Sequence, residues 1–243
     1  MLTLILTRHG EAAPNDIMLG GQLDVPLTPH GRHEAEALAR RLAGVRIDRI
    51  ISSPMLRALE TAQTVATGRR FEVDERLREL DYGQWEGLDY DEIEARDPAL
   101  RARWDHDPGS THSPGGESGE DVAARALSFL VELLEAELGA NSSALSRHPR
   151  SWDPGGSRGA VSEAQAEAEG ERRILVVAHG TFNRILLCVA LGQPVQDYRR
   201  RFVQDRTNLT VLRFEHDDTP DGGQLILGND VGHLRSKGET PWS

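Results

Sequence analysis

Two short apolar runs, far apart in the chain, both stop at the dipeptide His-Gly. Leu2 to Thr7 passes through Arg8 into His9-Gly10, and Ile174 to Ala178 runs directly into His179-Gly180. Each run is mostly apolar and of strand length, too short for a core helix, which marks a strand buried on both faces. Strands of that kind belong to open α/β sheets, where sites form beyond the carboxyl ends of the strands. If the two strands lie side by side and parallel, their imidazoles face one another across one pocket and can hold an anion between them. The alternative is a pair of surface loops that share a dipeptide by chance.

Bulk properties narrow the classes. At 243 residues the chain can bury one good core, and a single domain over 1–243 is expected. Hydrophobic residues at 38% and charged residues at 28% fit a soluble globular protein with some irregular chain. A formal net charge of −11 argues against a nucleic-acid partner, so an anionic substrate must meet a local basic pocket in a repelling body. Cys188, the single cysteine, lies in the apolar run Ile185 to Leu191 and reads as a packed core thiol. The first strand begins at residue 2 with no basic-then-apolar leader, and no run reaches membrane-spanning length. The expectation is a cytoplasmic protein with no membrane partner; a homodimer is compatible with the pattern.

Residues 10–27 form a long loop, and loops of that length in a compact domain are usually functional. Asn15 and Gln22 in it are neutral donors suited to phosphate or sugar oxygens, or else to turn chemistry. Thr28-Pro29 opens a helix whose buried face is Ala35, Leu38, Ala39 and Leu42. His30 and His33 on that helix lack a third ligand at a recognised spacing and read as solvated, so no metal is expected there. Ile47 to Ser52 is the second strand, and Ser53-Pro54 is expected to cap a helix packed by Met55, Leu56 and Leu59. Arg57 falls in its first turn, where a guanidinium beside a helix N-terminus makes a fork for phosphate oxygens; a solvated surface arginine is the alternative.

Phe71 to Val73 is a short strand leading to Glu79, an acid between Leu77 and Leu80, and then to a loop with Tyr82 and Trp85. An apolar setting raises a carboxyl pKa and suits a proton donor, with Asp81 and Glu86 as fallback candidates. Residues 89–104 read as helical but interrupted at Pro98, and the polar stretch from Asp105 to Gly116 as a lid over the pocket. Ser118, with Asp121 as capping-box partner, opens a long helix through Leu138 with Val122, Leu127, Leu130, Leu134 and Leu138 on its apolar side. A last helix from about Thr181 to Leu191 offers the N–H groups of Gly180 and Thr181 to an anion. Leu209 to Phe214 and Leu225 to Leu227 are the remaining strands.

Thr7-Arg8-His9-Gly10-Glu11 together with Ala178-His179-Gly180 resembles the histidine phosphatase superfamily in its phosphoglycerate mutase-like branch. Further segments agree in order: Asp24 to Thr28 with Gly31, Ser52 to Ala62, Glu79 to Gly87, Pro114 to Ser118, and His233-Leu234. The resemblance covers nearly the whole chain, and its joint pattern is specific although each piece alone is not. It implies a three-layer α/β/α sandwich with a mostly parallel central sheet, and it favours Asn15 as a phosphate ligand. Against it, residues 139–172 are an insertion, expected to be mostly disordered, with an ordered flap or contact arm anchored by Trp152 as the alternative.

On this reading Arg8, Arg57 and His179 surround a phosphoryl group, His9 attacks phosphorus, and Glu79 serves as acid and then base. Asn15, Gln22, Tyr82, Gly180 and Thr181 are the candidate substrate or phosphate contacts. No metal or other cofactor is expected, because the arginines neutralise the phosphate oxygens and no carboxylate cluster for Mg²⁺ is apparent. The implied function is hydrolysis of a small phosphorylated metabolite. A 2,3-bisphosphoglycerate-dependent mutase is the alternative; its segment before the long helix is longer and basic in the family, whereas here Asp105 and Asp107 make it acidic. A non-catalytic phosphate-binding protein is the alternative of another class, and all five key residues are present against it.

Overall fold

The computed structural model describes residues 1–12, 21–139, 170–216 and 218–235; Asn15 and the interior of the 139–172 insertion lie outside the described residues. Among the described residues six strands form one sheet: β1 (Leu2–Arg8), β2 (Arg49–Ser52), β3 (Glu72–Val73), β4 (Arg172–Ala178), β5 (Leu209–Phe214) and β6 (Gln224–Asp230). Their order is β3-β2-β4-β1-β5-β6. The pairs β2–β3, β2–β4 and β1–β4 are parallel, while β5 is antiparallel to both β1 and β6. The sheet is therefore mostly parallel, with an antiparallel edge.

The helices are α1 (Pro29–Leu42), α2 (Leu56–Ala66), α3 (Tyr90–Arg96), α4 (Pro98–His106), α5 (Gly119–Leu138), α6 (Gly180–Ala190) and α7 (Tyr198–Arg201). They cover both faces. Alternate residues of β1 show why: Leu2, Leu4 and Leu6 enter one cluster with α5 and α6, and Ile5 enters the other with Leu38, Ala58 and Ala62 of α1 and α2. A side-chain period of two on a doubly buried strand produces this division. Each fully buried Leu, Ile or Phe contributes about 1.5–3 kcal/mol to holding the layers.

Local signals set the helix ends. Thr28 Oγ1 accepts from the Gly31 amide at 3.0 Å, and Ser118 with Asp121 forms the full capping box. Two expectations change. Ser53-Pro54 does not cap α2, whose N-cap is Met55 with no side-chain cap bond. Leu56 and Leu127 are exposed rather than packed, since the buried stripe of α5 runs through Val122, Ala126, Phe129, Leu130 and Leu133 instead.

The segment before α5 is tied down. Trp85 and Trp104 meet edge to face at 5.7 Å, Trp85 Nε1 donates to Asp97, and the Arg199 guanidinium stacks 3.3 Å from the Trp104 ring centre. The following loop bonds back to the Glu79–Trp85 loop: the Gln84 amide donates to Pro114 O and the Glu117 amide to Asp81 O. No described helix is long and apolar enough to cross a membrane. Cys188 is buried, which pushes its thiol up to about 11.

Candidate active site

The carboxyl ends of β1 and β4 place the two histidines. Arg8 stands opposite Ala178 in the parallel register. The His9 amide donates to the Ala178 carbonyl at 3.0 Å, and the two imidazole rings lie 5.2 Å apart, tilted by 59°. The side-by-side arrangement that the twin strand ends demanded is what the sheet provides. His9 and His179 are 8% and 0% exposed.

The tautomer of His9 follows from its partners. Nδ1 lies 2.7 Å from the Gly10 carbonyl oxygen, which can only accept, so Nδ1 carries the proton. Arg57 Nε donates to Nε2 at 3.2 Å, so Nε2 presents a lone pair. Burial first, then the Arg8 and Arg57 cations, hold the ring well below the ordinary imidazole value. A neutral ring nitrogen with a lone pair facing a guanidinium is a nucleophile poised where an anion would sit.

Arg57 is 4% exposed, at the second position of α2. Its Nη1 donates to Leu23 O at 2.6 Å and its Nη2 to Gly21 O at 2.8 Å, so the guanidinium bridges the 21–23 loop to His9. Arg8 Nη1 donates to Gln204 O at 3.1 Å. Its guanidinium also lies along Gly180, where an added Cβ would sit 3.4 Å from Arg8 Cζ. Burial lowers both arginines from their usual value, and for both the carboxylate that most opposes this is Glu79. Arg8, His9, Arg57, His179 and Gly180 are thus brought to one place.

Glu79 does not sit in an apolar setting. Its Oε2 accepts from the Thr181 amide at 3.0 Å, and its Oε1 accepts from the amides of Phe182 and Leu80, each at 2.9 Å. Leu77 and Leu80 turn into the core, while the carboxylate between them caps α6, a helix N-terminus remote in sequence. It follows that the Thr181 N–H is given to Glu79 rather than left open for an anion, contrary to expectation.

Tyr82 and Gln22 also differ from their expected use. The Tyr82 hydroxyl lies 3.1 Å from Thr181 Oγ1, and burial pushes its phenol well above the ordinary value. Gln22 Nε2 donates to Glu79 O at 2.7 Å, and its Oε1 accepts from Arg78. These side chains therefore build the platform under the acid. Asp81 and Glu86 accept from backbone amides of the same stretch, Gly83 for the first and Gln22 and Tyr82 for the second.

Two residues were not picked out from the sequence as part of the site. Arg125 of α5 donates to the carbonyls of Arg76, Arg78 and Glu79 and pairs with Glu117. A cation three residues after Val122 and four before Phe129, on a buried stripe, is the signal that could have found it. Ser53, read as a cap, places its hydroxyl 2.7 Å from His179 Nε2. Among the described residues, no group of three or more His, Cys, Asp or Glu side chains gathers as a metal site.

Two imidazoles and two guanidiniums at the carboxyl edge of parallel strands, with a carboxylate at the adjoining helix N-terminus, make a site suited to a phosphoryl group and fit the class of phosphoryl-transfer enzymes. The chain belongs to the histidine phosphatase superfamily (branch 1), whose profile matches residues 4–150 and 157–220. A glucosyl-3-phosphoglycerate phosphatase of Mycobacterium tuberculosis is 34% identical over 199 residues, covering 80% of this chain and 78% of the relative. Phosphoserine phosphatase 1 of Hydrogenobacter thermophilus is 35% identical over 218 residues, 88% of each. The crystal structure of a mycobacterial glucosyl-3-phosphoglycerate phosphatase superposes with a TM-score of 0.73 at 28% identity, covering 93% of this chain and 98% of that one.

Proposed function

We propose that the protein hydrolyses a small phosphorylated metabolite, a phosphomonoester, in two steps through a phosphohistidine on His9. The observation that carries this reading is the unprotonated Nε2 of His9, buried between two guanidiniums and beside a second neutral imidazole. The two relatives named above are phosphatases of a sugar phosphoglycerate and of phosphoserine, which supports a phosphorylated metabolite as substrate. A phosphorylated metabolite as substrate supports a cytoplasmic location.

In the first step the substrate phosphate displaces the Arg57–His9 contact and takes Arg57 and Arg8 on its equatorial oxygens. The Nε2 lone pair forms the N–P bond, and the P–O bond to the leaving group breaks with its electrons on oxygen. Glu79, a carboxylate at rest, takes up a proton as the phosphate monoester binds and passes it to that oxygen. In the second step Glu79, now the carboxylate, takes a proton from water; the water oxygen bonds to phosphorus and the N–P pair returns to His9. Phosphate leaves, and every atom balances. Clustered cations stabilise charge spreading over the phosphoryl oxygens, which is the main requirement of this chemistry.

The test is phosphate release from p-nitrophenyl phosphate, set beside 2,3-bisphosphoglycerate-dependent isomerisation of phosphoglycerate. Hydrolysis without isomerisation, and acid-labile phosphate trapped on His9 after a quench, are expected. Isomerisation as the faster reaction would replace the hydrolase by the mutase, and neither reaction would leave a binding protein.

A further inference from the structure

His179 stands beside His9 in the site, and the mechanism above assigns neither of its ring nitrogens to the phosphate. The ring is fully buried and has two different ends. Nε2 lies 2.7 Å from Ser53 Oγ, while Nδ1 has no hydrogen-bond partner among the described residues. Ser53 itself is fully buried beside the end of β2, its backbone amide bonded to Val177 O at 2.9 Å. Its hydroxyl oxygen accepts from the Met55 amide at 3.3 Å.

A hydroxyl has one proton and two lone pairs. The Met55 amide can only donate, so it takes a lone pair of Ser53 Oγ. If His179 Nε2 also carried a proton, Oγ would accept twice and its own proton would stay buried without an acceptor. That costs about 1–3 kcal/mol. The satisfied arrangement has Ser53 donating to an unprotonated Nε2. The ring proton must then be on Nδ1. Burial, then Arg57, His9 and Arg8, keep the ring from gaining a second proton.

We infer that Ser53 is a positioning residue that fixes His179 as the Nδ1–H tautomer, so that His179 meets the phosphoryl group as a neutral hydrogen-bond donor through Nδ1. The inference rests on the phosphatase reading for its consequence but not for its tautomer. It also accounts for the absence of a side-chain cap on α2: the serine at the strand end is engaged with the histidine instead. The two histidines then carry their proton on the same ring atom for opposite purposes. In His9, Nδ1–H is held by Gly10 O and frees Nε2 to attack; in His179, Nε2 is held by Ser53 and frees Nδ1–H to bind.

Long-range proton–nitrogen correlation spectra of the wild-type protein, with His179 assigned by loss of its signals in His179→Gln, read the tautomer directly. The expected pattern is protonated Nδ1 and unprotonated Nε2 at neutral pH. Ser53→Ala should shift the ring toward the Nε2–H form. It should also weaken inorganic phosphate binding and lower kcat/KM by roughly 10-fold, the worth of one hydrogen bond to a charged group. The loss should be equal for aryl and alkyl phosphates, because the contact is to phosphate and not to the leaving group. Ser53→Thr, which keeps the hydroxyl, should restore the wild-type tautomer. A wild-type ring protonated at Nε2 overturns the inference, and that measurement needs no variant to fold. So does a Ser53→Ala protein whose tautomer and phosphate affinity are unchanged, or one that loses activity with its tautomer intact. If no phosphomonoester is turned over at all, the functional reading fails while the tautomer is still decided.

Discussion

The two His-Gly strand ends share a dipeptide and diverge in everything that follows it. After His9-Gly10 the chain enters a loop pressed against α1: a Cβ on Gly10 would stand 2.5 Å from the Gly31 carbonyl oxygen. After His179-Gly180 it enters a helix at once, and the nearest atoms to a Cβ on Gly180 are those of the Arg8 side chain, from 3.4 Å. The first end is held by rigid backbone and faces Arg57. The second has a helix N-terminus whose Thr181 and Phe182 amides are taken by Glu79. On the proposed mechanism one motif serves as nucleophile at His9 and as binding group at His179, and the difference in surroundings is what assigns the roles.

Exchanging the roles is the strongest way to break this comparison. His9→Ala removes the atom that forms the covalent bond, and turnover should fall by about 10⁴-fold or more. His179→Ala removes one donor to the phosphoryl group and should cost about 10²–10³-fold in kcat. Both are read by steady-state phosphate release, with circular dichroism to show that the fold persists. Equal losses, or a larger loss at His179, would reverse the assignment.

Glu79→Gln tests the carboxylate bonded to the second end, which the proposed mechanism assigns as the acid. With an alkyl phosphate the phosphorylation rate should fall by about 10²–10⁴-fold, whereas with p-nitrophenyl phosphate it should fall much less, because nitrophenolate leaves without a proton. Single-turnover kinetics are required, since the same carboxylate also serves dephosphorylation. Equal losses on both substrates would move the acid role to Asp81 or Glu86.

The glycines sharpen the comparison at the level of packing. Gly10→Ala drives a methyl into backbone that cannot yield, and urea unfolding should show a loss of about 1–3 kcal/mol together with low activity. Gly180→Ala adds a methyl at ordinary contact distance from the Arg8 side chain and should destabilise less than Gly10→Ala, its effect falling on phosphate binding as a raised KM. A more damaging Gly180→Ala would mean that the helix side, not the loop side, is the rigid one.

The smallest effect is in pH. His9, His179 and His233 all titrate below the ordinary 6.5, burial being the first cause in each. Below that value the unfolded chain takes up protons that the native chain refuses, so stability falls as pH falls through the window beneath 6.5. Urea midpoints at about pH 7.5 and about pH 5.5 should differ in that direction, and a His9→Gln/His179→Gln protein should show less of the difference. Activity should not decline as pH passes down through 6.5, because both rings are still neutral there. A kcat/KM limb centred on that value would show that one of them is not shielded.

The family resemblance implied the layers and the gathering of Arg8, His9, Arg57 and His179; the sequence by itself marked the two buried strands, the histidines at their ends and Arg57 in a helix's first turn. The reason is that each of those signals is local: an apolar run of strand length, a residue at the strand's end, an arginine in a first helical turn. Such patterns survive folding because they record which side of a strand or helix is buried. What only the tertiary structure decided are the partners of polar groups. Glu79 looked apolar because its neighbours are leucines, yet its carboxylate caps a helix that arrives much later in the chain. Gln22 and Tyr82, expected as ligands, have side chains bonded to the Glu79 carbonyl and to Thr181, contacts the sequence did not announce. Arg125 and Ser53 drew no attention as functional residues, one inside a helix stripe and the other at a cap-like position. A hydrogen bond depends on two groups meeting within about 3 Å. When those groups are remote in sequence, neither end of the bond is written in its own neighbourhood.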